Sequence, residues 1–269
     1  MKKFWAFFFI FWPIVAIYFC WIAPQRGWWF PSESMSTMGH QIDGLFKLIL
    51  IIVTVTFIGT QIAMGYVLWR GATKSAATKA MFSHGSHKLE IIWTIVPAFI
   101  LVFISVTQLE VLAEIRVISK FPDDARKAPV AEVMARQFEW RIRYPKPGTT
   151  LKTEAQPGDL HFVNEVHVPT NRPVMINLRT QDVQHAFFAP QLRVKQDAVP
   201  GLVIPVWFEI EKAGNFDLVC AELCGWGHYK MKARIVAESE KAVGDYLTDL
   251  EAAQNEDGVV DEPSVAAGE

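Results

Sequence analysis

CAELCGWGHYKM, residues 220–231, is the stretch on which the reading of this chain turns. It sets two thiols (Cys220 and Cys224), an imidazole (His228) and a thioether (Met231) within twelve residues. Thiolate, imidazole and thioether together are the soft ligand set of a copper electron-transfer site. A mononuclear site of that kind takes one Cys, one His and a weak axial Met from such a loop, and a second His from an earlier strand. Here there is one Cys more, four residues before the other, so both sulfurs are placed to bridge a pair of metal ions. Two simpler readings stand beside this one. Two nearby Cys in an exported domain form disulfides, and Cys, Cys and His also suit zinc, although Met is a poor zinc ligand. A redox loop works fast only when its surroundings rearrange little, which predicts stiff strands gripping both of its ends.

The flanking sequence supplies such strands. From about 128 to 238 the chain gives short runs rich in Val, Ile, Phe and Thr, separated by turn signals such as PKPG (145–148), QPGD (156–159), PTNRP (169–173), VPG (199–201) and KAGN (212–215). HFVNEVHV (161–168), VMINLR (174–179) and IPVWFEI (204–210) read as strands, and the metal loop falls between FDLV (216–219) and KARIV (232–236). This is the pattern of a β-sandwich. Residues 239–254 have helical spacing, and 255–269 read as an acidic tail of little order.

The first 113 residues are a different material. Of 269 residues 51% are hydrophobic, with ten Trp and nineteen Phe. Three apolar runs, Phe4 to Ala23, Leu45 to Trp69 and Ile91 to Leu112, each match a hydrocarbon core about 30 Å thick. Arg70, Lys74, Lys79 and Lys88 lie between the second and third runs with no acid before Glu90, so that loop is expected inside and the C-terminal domain outside. The first run reads either as a secretory signal or as an extra transmembrane helix; its length, its aromatic content and the lack of an Ala-x-Ala after it favour the helix. Cys20, inside that run, reads as inert packing, and His84 and His87 as solvated residues of the basic loop.

Cys-x-Glu-x-Cys-Gly-x-x-His-x-x-Met resembles the binuclear copper (CuA) loop of the cytochrome c oxidase subunit II family. QDVQHAFFAPQLRVKQDAVPG (181–201) resembles that family's other signature, and LEIIWTIVPAFILVFISV (89–106) its second transmembrane helix. The resemblance covers roughly residues 40–240. It implies that Cys220 and Cys224 bridge two coppers, that His185 and Met231 serve one of them, and that His228 and the backbone carbonyl of Glu222 serve the other. It further implies a magnesium ion at the Glu222 carboxylate, shared with subunit I, and a proton-pathway role for Glu90. Asp182, Gln184 and Asp197 are candidates to orient the ligating His residues.

The implied architecture is a membrane-anchored α plus all-β chain. An N-terminal segment (1–24) and a transmembrane helical hairpin (40–115) precede a cupredoxin-like Greek-key β-sandwich (116–240), and a C-terminal helix and tail (241–269) follow. The implied function is that of the electron-accepting subunit of a haem-copper oxidase in a respiratory membrane of bacterial inner-membrane type, not catalytic alone. Its partners are subunit I, which carries the haems, subunit III, a cytochrome c donor and the lipid bilayer. A CuA-containing nitric oxide reductase subunit and a membrane-tethered copper carrier are the alternatives.

One segment departs from the family pattern. Where its electron-accepting strand reads Gly-His-Gln-Trp-x-Trp, this chain has Ala135-Arg136-Gln137-Phe138-Glu139-Trp140. Phe138 and Trp140 are the candidate aromatics there, and Arg136 and Arg143 are expected to add positive charge. Residues 114–269 carry 24 acids against 18 Lys and Arg, a net of −6. No nucleic-acid patch, phosphate loop or covalent haem motif is present in the sequence.

Overall fold

The three apolar runs form the helices α1 (Phe4–Gln25), α2 (Thr37–Thr73) and α3 (His87–Arg116), each long and apolar enough to cross a membrane. A computed structural model of the chain describes residues 3–28, 34–75, 79, 82 and 84–256. The expected tail beyond 256, and the positions 76–78, 80, 81 and 83 of the basic loop, lie outside the described residues. Two units are distinguished, residues 1–32 with 43–111 and residues 33–42 with 112–269.

In the first unit α1 packs on α2. Gly65 is what permits the approach: a Cβ there would lie 2.6 Å from Ile10 Cγ1 and 3.1 Å from the Ala6 carbonyl oxygen. Small residues play this part between membrane helices, where lipid is as apolar as the side chains and close backbone packing must supply the attraction. Phe7 sets its ring edge-on to Trp69 at 5.3 Å. Cys20 is exposed rather than packed. On α3 no described side chain is buried within the chain, and Ile91, Ile92, Trp93, Phe99, Leu101 and Phe103 are all exposed. So large an apolar surface needs lipid or a partner subunit against it.

The second unit holds the sandwich. After the one-turn helix α4 (Asp123–Lys127) come β1 (Ala131–Arg136), β2 (Glu139–Tyr144), β3 (Leu160–Val163), β4 (Glu165–Pro169), β5 (Pro173–Thr180), β6 (His185–Ala189), β7 (Val194–Ala198), β8 (Ile204–Glu209), β9 (Gly214–Cys220) and β10 (Lys232–Glu238). Helix α5 (Glu240–Glu256) closes the described chain. One sheet has the order β3-β2-β1-β5-β8 and the other β4-β10-β9-β6-β7. The pairs β1–β5 and β4–β10 are parallel and the rest antiparallel. Inward residues of both sheets make the core: Val133, Trp140, Ile142, Ile176 and Leu178 from the first, Phe187, Leu218 and Ile235 from the second, all fully buried. Each such side chain contributes about 1.5–3 kcal/mol on burial, so the core is the main restraint on the metal loop.

Two segments differ from the sequence reading. HFVNEVHV is two strands, because Asn164 adopts a left-handed φ of 61° and its Oδ1 accepts the Trp140 N–H at 2.9 Å. Asn tolerates this conformation, and the break passes the chain from one sheet to the other. The segment 135–140 is no single strand either: Arg136 pairs with Glu139 across a tight turn, and Gln137 and Phe138 form the tip of the β1–β2 hairpin.

The start of α2 and the end of α3 belong to this unit. Ser36 caps α2, accepting the Gly39 N–H at 3.0 Å while its hydroxyl donates to the Leu192 carbonyl at 2.6 Å. Trp207 Nε1 donates to the Glu114 carbonyl at 2.9 Å. At the far end α5 begins at its cap Ser239 and lays Tyr246 flat on His167, ring centroids 3.5 Å apart.

Candidate metal centre

His185 is the first residue of β6 and Cys220 the last of β9, and these strands are neighbours, with Phe187 opposite Cys220. The loop after Cys220 is closed at its base, where the Cys220 N–H donates to the Met231 carbonyl at 3.1 Å and the Ala221 N–H to the Ala186 carbonyl at 3.1 Å. The hairpin tip holds the loop from the side. Gln137 Nε2 donates to the Cys224 carbonyl, and the Phe138 ring lies on the backbone at Gly225 and Gly227, where an added Cβ would come within 3.2 and 2.5 Å of it. Two glycines are therefore required by the close approach of one ring.

Around this frame the donor atoms converge. Cys220 Sγ is 3.8 Å from Cys224 Sγ, 3.7 Å from His185 Nδ1 and 3.2 Å from the Glu222 carbonyl oxygen. Cys224 Sγ is 3.7 Å from His228 Nδ1 and 3.9 Å from the Met231 sulfur. With metal bonds of about 2.0–2.3 Å to nitrogen and sulfur, two ligands of one tetrahedral ion stand about 3.5–3.8 Å apart. Both thiols are free, and His185, Cys220 and Cys224 bring their donor atoms within 4.8 Å of one another. Each sulfur thus has an imidazole nitrogen beside it, but only that of His185 joins both thiols in a group whose donor atoms all lie within 4.8 Å of one another, so the His228 nitrogen lies outside the single cluster that one tetrahedral ion would gather.

His185 and Met231 are buried, as are both thiols. Asp182 sets the His185 ring: its Oδ1 lies 2.8 Å from Nε2, which leaves Nδ1 for the sulfur side, and its Oδ2 accepts the Gln137 N–H at 2.7 Å. Of the three expected supporting residues only Asp182 touches His185 here, since Gln184 Nε2 donates instead to Asp197 at 3.3 Å. Burial alone would push the Cys220 thiol up, but hydrogen bonding from His185 and from the backbone at Ala186 outweighs it and brings the thiol down to about 6. Burial and then the negative charge on Cys220 push Cys224 up to about 12. Without metal the pair carries one thiolate; a cation is what lets both ionise.

The remaining expected residues are distributed as follows. Trp140 is fully buried, 6.4 Å from the His185 ring, so it offers no surface to a docking protein. Phe138 is half-buried against the loop. Arg143 adds no surface charge, being buried between Glu132 and Asp159 at 3.0 and 2.7 Å, and Arg136 is paired with Glu139 at 2.8 Å. Glu90 sits in the first turn of α3, 3.1 Å from His87 Nδ1, apart from the metal cluster in sequence and in unit. Among the exposed residues of the loop is Trp226, between the ligand candidates Cys224 and His228, which the motif leaves unassigned; its signal in the sequence is a bulky aromatic flanked by two glycines, Gly225 and Gly227.

Two family models match the chain, the cytochrome c oxidase subunit II transmembrane domain over residues 25–111 and the subunit II periplasmic domain over residues 144–239. The cytochrome c oxidase subunit 2 of Cereibacter sphaeroides is 31% identical over 255 residues, covering 83% of this chain and 80% of that one. The alternative cytochrome c oxidase subunit 2 of Bradyrhizobium diazoefficiens is 36% identical over 149 residues, covering 48% and 52%. A crystal structure of the periplasmic domain of cytochrome oxidase subunit II from Bradyrhizobium japonicum is 27% identical with a TM-score of 0.40, covering 46% of this chain and 93% of that one. Membrane helices and an outer-side sandwich are matched in the same order along one chain, by relatives that are oxidase subunits rather than carriers or nitric oxide reductases. The chain therefore belongs to the cytochrome c oxidase subunit II family, the membrane-anchored subunit II of haem-copper oxidases.

Proposed function

We propose that His185, Cys220, Cys224, His228, Met231 and the backbone carbonyl of Glu222 hold two copper ions, and that through them the chain accepts electrons from a c-type cytochrome and delivers them to haem in subunit I. The observation that supports this most is the thiol pair 3.8 Å apart with an imidazole nitrogen 3.7 Å from each sulfur. Bound there, a copper pair supplies a reversible one-electron store. The protein's part is to keep that store from changing shape. Cys220 and His185 are fixed at the ends of two paired strands, Asp182 fixes the imidazole, and buried Met231 keeps water from one side. Ligands held this way rearrange little when the charge changes, and the hydrogen bonds on the ring nitrogen tune the potential.

Oxygen reduction and most proton movement belong in this reading to subunit I, with subunit III as a further partner and the sandwich on the periplasmic side of an inner membrane. Glu90, with His87 beside it, serves as the mouth of a proton path, and the Glu222 carboxylate helps hold a magnesium ion shared with subunit I. The test is copper analysis and rapid mixing of the purified oxidase with ferrous cytochrome c. The reading expects two coppers per chain and their prompt reduction, both lost in Cys220→Ser. Zinc in their place, or a Cys220–Cys224 disulfide in the active complex, overturns it.

A further inference from the structure

We propose that electrons reach the metal loop through the indole of Trp226, which takes the place of the surface aromatic that the β1–β2 hairpin lacks. The proposal rests on the copper reading above and names the residue through which its donor, a c-type cytochrome with an exposed haem edge, makes contact.

Four observations carry it. Trp226 is 76% exposed, whereas Trp140 is fully buried and Phe138 is half-covered. It lies two residues after Cys224 and two before His228, so few covalent bonds separate its ring from either ligand candidate. Its ring is held on two sides, by Phe138 edge-on at 5.1 Å and by Lys230 Nζ over the ring at 4.5 Å, and a held ring keeps the fixed geometry that electronic coupling needs. Phe138 in turn rests on Gly225 and Gly227, so the whole aromatic pair is mounted on the ligand loop itself.

The step is simple in its balance. One electron leaves the ferrous haem of the donor, which becomes ferric, and arrives at the oxidised metal site; no bond or proton moves. The indole is a bridge and is not itself oxidised.

The test uses the intact oxidase complex with Trp226→Ala, Trp226→Phe and Tyr229→Leu. Stopped-flow mixing with ferrous cytochrome over a concentration series separates the limiting transfer rate from the concentration needed for half of it, and binding of ferric cytochrome to the complex is measured alongside by surface plasmon resonance. Trp226→Ala is expected to slow the limiting rate by about tenfold or more, with a smaller change in binding. Trp226→Phe falls between, keeping a ring on the loop and guarding against a variant that loses copper. Tyr229→Leu, equally exposed, stays within about twofold of wild type. The proposal is overturned by a limiting rate unchanged in both Trp226 variants, by weakened binding as their only effect, or by Tyr229→Leu matching them. Should the unsubstituted complex hold no copper or take no electrons from the cytochrome, the copper reading falls instead.

Discussion

The metal cluster has a strand-borne half and a loop-borne half, and they are built differently. Cys220 and His185 stand at the ends of paired strands, bonded to backbone and to Asp182. Cys224, His228 and Met231 sit on the excursion between β9 and β10, whose middle is held by the hairpin tip through Gln137 and Phe138 and whose base is closed by the Cys220 N–H on the Met231 carbonyl. The first half inherits its rigidity from the core; the second borrows it from a neighbouring turn. Their acidities also differ: against burial, hydrogen bonds from His185 and the Ala186 backbone bring Cys220 down to about 6, whereas burial and the charge on Cys220 push Cys224 up to about 12. A site divided in this way has one half organised before metal arrives and another that the metal completes.

The largest effects should separate the halves outright. Cys220→Ser is expected to abolish copper retention, while Cys224→Ser keeps at most one ion on His185 and Cys220, as read by copper analysis of the purified complex. Equal losses would show the halves to be equivalent.

The next contrast concerns the metal-free chain in detergent. A thiol pKa lowered on folding means that thiolate is present above about pH 6 at Cys220, and one raised on folding means that Cys224 stays protonated up to about pH 12. Thiolate ultraviolet absorbance of this metal-free chain, followed over a rough working window of about pH 5 to pH 9, should rise near pH 6 and fail to do so in Cys220→Ser; both loop thiols are too buried for alkylation to report on them. The linkage has the same sign: Cys220 ionisation stabilises the metal-free fold at alkaline pH, and that contribution is lost as pH falls through about 6.

Asp182→Asn, which weakens the hold on His185, should cost about 10- to 100-fold in copper affinity, measured by competition with a chelator. Gly227→Ala drives a Cβ into the Phe138 ring and should destabilise the chain by about 1–3 kcal/mol, seen in the denaturation midpoint and in a loosened loop. The smallest change in stability belongs to Met231→Leu. The side chain is 1% exposed, and an isosteric apolar swap costs less than about 1.5 kcal/mol, so a large shift in the copper absorption of this variant would report a ligand role rather than packing.

Much of this comparison was legible in the sequence, and the reason is local. Cys220, Cys224, His228 and Met231 are close along the chain, and the spacing alone brings them near one another once the loop is closed. The three long helices declared themselves by uninterrupted apolar length, and strands such as 174–179 and 204–210 by their Val and Ile content. What escaped depends on contacts between distant segments. The sheet switch at Asn164 is set by a hydrogen bond to Trp140. The turn at 137–138 interrupts what composition presents as one strand, and this puts Phe138 on the loop and Trp140 in the core. Arg143 looks like surface charge until Glu132 and Asp159 are folded round it. Trp226 reads as filler in a motif, and only its exposure and its contact with Phe138 give it a role.

The most direct test of the central claim is the electron paramagnetic resonance spectrum of the oxidised complex, compared with that of Cys220→Ser. An unpaired electron shared equally by two copper nuclei, giving the hyperfine multiplet of a coupled pair that vanishes in the variant, is the predicted result. A multiplet from a single copper nucleus, or a spectrum unchanged by the loss of Cys220, would contradict it.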